Sequence, residues 1–145
     1  APIGKVTTAT LESTWPDPAV RGASLPVMRR VGNKGFGAEC KTSHFCHGFP
    51  KDEVFGLTGQ IRRAVVSVPS NLAEGFGRRS RSDYARYILM ALGSLFEVQT
   101  QLEIALRLKY LTGEQHAKLE KSSREVEYLL TRLREKMLAS PAKTS

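Results

Sequence analysis

Between residues 51 and 139, apolar side chains return at steps of three and four, the repeat of a helix with one buried seam. A first stripe runs Val54, Leu57, Ile61, Ala64/Val65, Val68 and Leu72. A second runs Tyr84, Ile88, Ala91, Leu95, Val98, Leu102 and Ala105. A third runs Leu119, Val126, Leu129, Leu133 and Met137, with Ser122 in the remaining stripe position. The stripes predict helices over about 51–77, 82–109 and 113–139. Signals at the ends agree. Asp52 and Glu53 follow Pro50 and suit the positive end of a helix dipole. Gly75-Phe76-Gly77 closes the first helix, and Ser80 or Ser82 caps the second. Thr112 with Gln115 forms a capping box for the third, and Ser140-Pro141 ends it. Pro69 stands inside the first pattern and predicts a kink near Val65 to Pro69.

The first fifty residues lack this order. Five of the seven prolines (2, 16, 18, 26 and 50) fall there, with glycines at 4, 22, 32, 35, 37 and 48. We expect residues 1–24 to be extended or disordered, and residues 141–145 to be a tail. Three long helices with short loops pack antiparallel, and a fourth is needed to close a bundle. It comes either from residues 25–48, where Leu25 to Val31 is faintly periodic, or from another subunit. The expected architecture is all-α, an up-down four-helix bundle spanning 25–140.

Composition narrows the functional classes. The net charge of +8 and pI of about 9.8 favour a polyanionic partner: RNA, DNA or an anionic membrane surface. The charge is spread along the chain, so an anion-binding surface must be assembled by folding or by joining subunits. Two cysteines, Cys40 and Cys46, make no disulfide framework. The N-terminal residues have no signal-like apolar run, and nothing reaches the ~18 apolar residues that span a bilayer. The expectation is a cytoplasmic protein with no membrane partner.

Candidate chemistry is sparse. Cys40, His44, Cys46 and His47 fall within eight residues, but four ligands so crowded do not readily surround one zinc ion, and we assign no metal. No nucleophile elbow, zinc-protease or di-iron motif occurs, so we expect no enzyme, cofactor or small-molecule substrate. Two polar triplets are more telling. Ser67, Asn71 and Glu74 share a helix face, as do Ser94, Glu97 and Gln101. They read as an internal hydrogen-bond network or as a subunit interface. Arg62, Arg63, Arg78, Arg79 and Arg81 are the basic clusters, and either contact phosphates or stand solvated at helix ends. Leu89, Leu92, Phe96 and Ile104 lie off the main stripe of their helix and imply a second apolar face for a neighbouring subunit. Gly93, costly in mid-helix, implies a close helix approach.

The run Phe49-Pro-Lys-Asp-Glu-Val-Phe-Gly-Leu-Thr-Gly-Gln-Ile-Arg-Arg-Ala64 leads into Ser67-Val-Pro-Ser-Asn71-Leu-Ala-Glu74-Gly75-Phe-Gly-Arg78, and Ala91-Leu-Gly93-Ser94-Leu-Phe-Glu97 follows. Together these resemble the 23S rRNA intervening-sequence protein family, small bacterial four-helix bundles, over about residues 49–139. The accessory variability proteins of diversity-generating retroelements look related, as basic pentameric barrels that bind nucleic acid. The resemblance implies a homo-oligomer, most simply a pentamer, with no catalytic residues. Leu25, Val27, Met28 and Val31 keep a trace of the family's first helix. The function expected is nucleic-acid or ribosome binding by a non-enzymatic oligomer, and the alternative is a protein-interaction scaffold with incidental charge.

Overall fold

The computed structural model describes residues 17–31, 49–54 and 56–139. They form α1 (Pro18–Arg29), α2 (Leu57–Gly77), α3 (Arg81–Arg107) and α4 (Gly113–Leu138), with a 3-10 turn at Lys51–Val54 before α2. The chain is an all-α four-helix bundle. α3 packs along both α2 and α4, while α1 lies across α2 and α4 on the far side of the core. The starts of α1 and α3 meet the end of α4, where Arg81 contacts Asp17, Lys136 and Ala139. α1 and α3 therefore run one way, and α2 and α4 the other.

The first helix lies elsewhere than expected. Residues 18–24, expected to be extended, form its first two turns, and helix ends where the 25–48 segment was to carry it. Asp17 caps it by accepting from the Ala19 backbone N–H at 2.9 Å, and Pro18 takes the first position, where no N–H is needed. Its buried line is Val20, Ser24, Val27 and Val31. The serine hides the periodicity from a hydropathy reading. Buried inside a helix, its hydroxyl is satisfied by donating to the Val20 carbonyl at 2.6 Å. Residues 32–48, with Cys40, His44, Cys46 and His47, lie outside the described residues.

The other helices follow their stripes, with two corrections. The helix expected from residue 51 starts at Leu57, because the chain breaks at Gly56. Glu53 folds back from the 3-10 turn, and its Oε2 accepts from the Leu57 N–H at 2.9 Å, supplying the cap that glycine lacks. A Cβ on Gly56 would stand 2.5 Å from that oxygen, so the cap requires the glycine. Glu53 Oε1 also accepts from the Tyr110 hydroxyl at 3.2 Å, and Tyr110 packs on Phe49, with ring centroids 5.3 Å apart. The second correction is the register of α4. Its core line is Leu119, Ser123, Val126, Leu130, Leu133 and Met137, so Ser123 and Leu130 replace Ser122 and Leu129. Ser123 is wholly buried, donates to the Glu120 carbonyl at 2.8 Å and accepts from Gln99 at 3.3 Å.

All seven stripe residues of α3, Tyr84 to Ala105, are buried. Ser80 caps this helix, accepting from the Asp83 N–H, and Thr112 with Gln115 forms the full capping box on α4. Pro69 lies within α2, which continues through it to Gly77. The tightest contact in the bundle is between α2 and α3. A Cβ at Gly75 would come 2.4 Å from Tyr87 Cβ and 2.9 Å from the Tyr84 ring. Tyr84 meets Phe76 edge-on at 5.9 Å.

Gly75→Ala must push α2 from α3 and should cost about 1–3 kcal/mol. Gly77→Ala, whose Cβ meets nothing within 4 Å, should stay within about 0.5 kcal/mol of the parent. Equal melting of the two variants would disprove the close approach. Burial pushes the Tyr84 hydroxyl from 10.0 up to about 12, with the neighbouring Ser24 hydroxyl pulling slightly the other way. The unfolded chain loses this proton first as pH rises, so stability is intact below pH 10 and declines between 10 and 12. The loss should be roughly 2–3 kcal/mol. A tyrosinate absorbance titration should show Tyr84 lagging furthest, with Tyr110 also raised by burial and by Glu53, and a Tyr84→Phe variant should lose the latest part of the lag.

Candidate nucleic-acid interface

The α2–α3 turn is three residues long and carries two arginines, Arg78 and Arg79, before the Ser80 cap. Because Gly75 lets the helices close, Tyr87 of α3 lies against the end of α2 and is almost fully buried. Arg78 donates to Glu74 at 3.0 Å and to the Tyr87 oxygen at 2.9 Å, and the Tyr87 hydroxyl donates to Glu74 at 3.0 Å. Both Arg78 and Arg86 place a guanidinium over the Tyr87 ring, 5.4 and 5.2 Å from its centroid. Arg78, then the Tyr87 hydroxyl, hold the Glu74 carboxyl below the usual carboxylate range, and Glu74 in turn raises Arg78. Arg86 has a second, longer contact with Asp83 at 3.3 Å. The guanidinium groups thus stand half-exposed on a fixed aromatic base.

Arg79 sits between them in a different state. Its φ is 57°, the left-handed region in which glycine is favoured after a helix end. An arginine there costs about 1 kcal/mol of backbone strain. Its side chain is exposed and makes no ion pair among the described residues. Lys109, just after α3, holds the same left-handed φ at 61°, so the strain belongs to both helix ends, and what sets Arg79 apart is the pair of arginines beside it. The corner therefore presents three arginines against two partly engaged carboxylates.

The structure redraws the basic clusters expected from the sequence. Arg81 faces inward. Its Nε and Nη2 bind Asp17 Oδ2 at 3.1 and 2.7 Å, and its Nη1 reaches the Lys136 and Ala139 carbonyls at 3.3 Å. With every guanidinium nitrogen engaged, it ties three helix ends together and is lost to the phosphate surface. Arg62 and Arg63 are exposed on the outer face of α2, 15 or 16 residues before Arg78, which is roughly 24 Å along the helix. They do not share a patch with the corner. Arg86 and Tyr87 take their place there. The sequence signal was faint, since only a folded α2–α3 turn brings position 87 to position 78.

This bundle matches the family model of the 23S rRNA-intervening sequence proteins over residues 30–132, from the end of α1 through most of α4. The chain belongs to that family. No curated protein matches it. The intervening-sequence fold thus contains the whole arginine corner within its matched span.

The polar triplets of this family member divide. The Ser67 and Ser94 hydroxyls meet at 2.9 Å across α2 and α3, and Asn71 donates to the Ser67 carbonyl and hydroxyl at 2.9 and 3.0 Å. That part is a network between two helices. Glu74 belongs to the arginine corner instead. Glu97 is exposed and makes no ion pair among the described residues, so it takes no part in the network between α2 and α3, and of the two readings the interface one stays open for it. Gln101 is half-buried, and its side-chain oxygen is enclosed without a partner among the described residues. Leu92, expected on the second apolar face, is buried in the core. Leu89, Phe96 and Ile104 are exposed. No described helix is long and apolar enough to cross a membrane.

Arg81 holds the Asp17 carboxyl below its ordinary value, against the smaller opposing effect of burial. A carboxylate whose folded value is depressed stabilises the fold above its unfolded pKa, near 3.9, and loses that contribution as pH falls through its folded value. Arg81→Ala should therefore lower the melting temperature at pH 7 and flatten its decline on acidification below about pH 4. A variant melting with the same acid profile as the parent would show that the contact is idle.

Proposed function

We propose that this family member is a non-enzymatic homo-oligomer of the cytoplasm that binds RNA or DNA through the arginine corner, repeated around the assembly. Arg79 carries the reading. A bundle needs only a glycine after α2, yet a strained, exposed arginine stands there beside two more arginines seated on Tyr87. Guanidinium groups with free donors suit phosphate oxygens, and the chain's +8 charge favours a polyanion. Among the described residues no large exposed aromatic lies at the corner, which favours contact to the backbone over stacking and base readout.

One corner offers few phosphate contacts. Several linked in one particle gain affinity together. The exposed apolar row Leu89, Phe96 and Ile104 on α3 supports such an assembly, and a pentamer is the size the family resemblance implies. The same row also suits the rival reading, a scaffold for protein partners whose charge is incidental.

The corner can be tested without weakening the fold. Fluorescence anisotropy with mixed-sequence RNA and DNA should show binding by the parent that falls steeply with salt, through counterion release. Arg79→Gly should bind several-fold more weakly while melting at the parent temperature or above it, since glycine relieves the left-handed strain. Arg86→Ala should also weaken binding. A parent that fails to bind at low salt hands the case to the scaffold reading, and an Arg79→Gly variant of parental affinity moves the contact off the corner.

A further inference from the structure

The outer surfaces of the helices differ in kind. α4 faces outward mainly with charged residues, broken by the exposed Tyr128 and by Leu138 at its end, whereas α3 presents a row of three, Leu89, Phe96 and Ile104, which are 52%, 47% and 43% exposed. Gly93 lies in the same row. A Cβ there would meet nothing within 4 Å, so the close approach its glycine suggests is absent among the described residues. Beside the lower part of this row, α3 and α4 enclose a groove of about 610 Å³ that Phe96 and Ile104 line with apolar atoms. Its polar wall holds His116 between two carboxylates, Glu103 at 3.5 Å and Glu120 at 4.0 Å. Those carboxylates are about half exposed, each shared with one exposed arginine, Arg107 or Arg124. Glu97, next to Phe96, has no partner among the described residues. The row and groove together combine apolar surface with carboxylates still open to a cation.

A matching surface lies on another helix of the same chain. The outer face of α2 carries Val66, 61% exposed, the largest such apolar exposure on that helix. Arg62 and Arg63 flank it one turn away, exposed and without an ion pair among the described residues. Ser70 and Ala73 continue the face with small side chains that do not block a neighbour. α3 stands between α2 and α4, so this face and the groove cannot meet within one copy. Height also agrees. The Ser67–Ser94 bond sets the two antiparallel helices level at that point. Counting down from it puts Val66 level with Leu95 and Phe96, and the two arginines level with residues 98 and 99, between Phe96 and Glu103. Copies arranged around an axis parallel to the helices sit at one height, so these groups come opposite each other.

We infer that the α2 face of one copy seats on the α3 row and α3–α4 groove of the next, Val66 against Phe96 and Arg62 and Arg63 among Glu97, Glu103 and Glu120. This rests on the homo-oligomer reading and specifies its interface. Two different surfaces make the contact heterologous, the kind that closes into rings. It also removes Arg62 and Arg63 from the nucleic-acid surface and leaves the corner at the end of α2 outside the contact.

The test uses two lesions on exposed residues, with helical content checked by circular dichroism. Light scattering on the nuclease-treated parent should give a multiple of the 16.0 kDa chain. Arg62→Glu/Arg63→Glu and Phe96→Glu should each be monomers. Mixed in equal amounts they should form a heterodimer of twice the chain mass and nothing larger, because one intact pair of surfaces remains. A monomeric parent removes the oligomer reading and this inference with it. An oligomeric parent whose variants stay assembled, or whose mixture stays monomeric, overturns the inference alone, and an Arg62→Glu/Arg63→Glu variant that stays assembled while Phe96→Glu falls to monomers would point to a symmetric α3–α3 contact.

Discussion

The close approach of α2 and α3 at Gly75 governs much else in this protein. A single side-chain carbon at that position would collide with Tyr87 Cβ, so the absence of one lets two of the long helices meet almost backbone to side chain. Closing the helices there buries Tyr84 and Tyr87. It also brings the Ser67 and Ser94 hydroxyls within hydrogen-bonding distance two turns below, and swings the α2–α3 turn into place above Tyr87. The arginine corner is thus a product of core packing. Arg78 and Arg86 are held because the ring beneath them is held.

Within this corner, neighbouring arginines of like charge do three unlike jobs. Arg81 points inward and satisfies the last carbonyls of α4 together with the Asp17 cap of α1. Arg78 is shared between Glu74 and Tyr87 and keeps part of its surface. Arg79 stands free, at the expense of its backbone. Net charge therefore overstates the cationic surface: a guanidinium with every nitrogen engaged adds to rigidity and little to the outward field. The division follows from where each residue falls relative to the helix ends, since position 81 opens α3 toward the other termini and position 79 lies in the turn.

α2 to α4 were legible because periodicity reports a continuous buried seam, and theirs are long and mostly aliphatic. α1 was not, since Pro18, Gly22 and Pro26 resemble loop punctuation and Ser24 takes a core position that hydropathy reads as surface. The α4 register slipped for the same reason, with Ser122 chosen over Ser123: the two serines are alike until Gln99 and the Glu120 carbonyl are seen around one of them. The arginine cluster was visible as composition, but side-chain direction was not. Arg81 turned inward, and Arg86 with Tyr87 entered the corner through a pairing across the turn that no local spacing displays.

The outer surface of α3 remains the least settled by the bundle itself. A helix in a lone bundle needs one apolar stripe and a polar back, a pattern that α4 approaches with Tyr128 as its main exception. α3 buries its full stripe and still keeps a row of apolar residues on its back, with a glycine whose cost nothing among the described residues offsets. Stability of the single copy explains neither feature, because replacing those residues by polar helix formers would leave the core intact. A helix apolar on two sides is one whose second side the proposed assembly would bury. The groove beside it is walled by His116 and glutamates rather than by more leucine, and such a mixed surface favours a partner with both charge and apolar contact over indiscriminate association. Val66 and the two arginines on α2, without an ion pair among the described residues, fit that description and are what supports a second copy as the proposed partner.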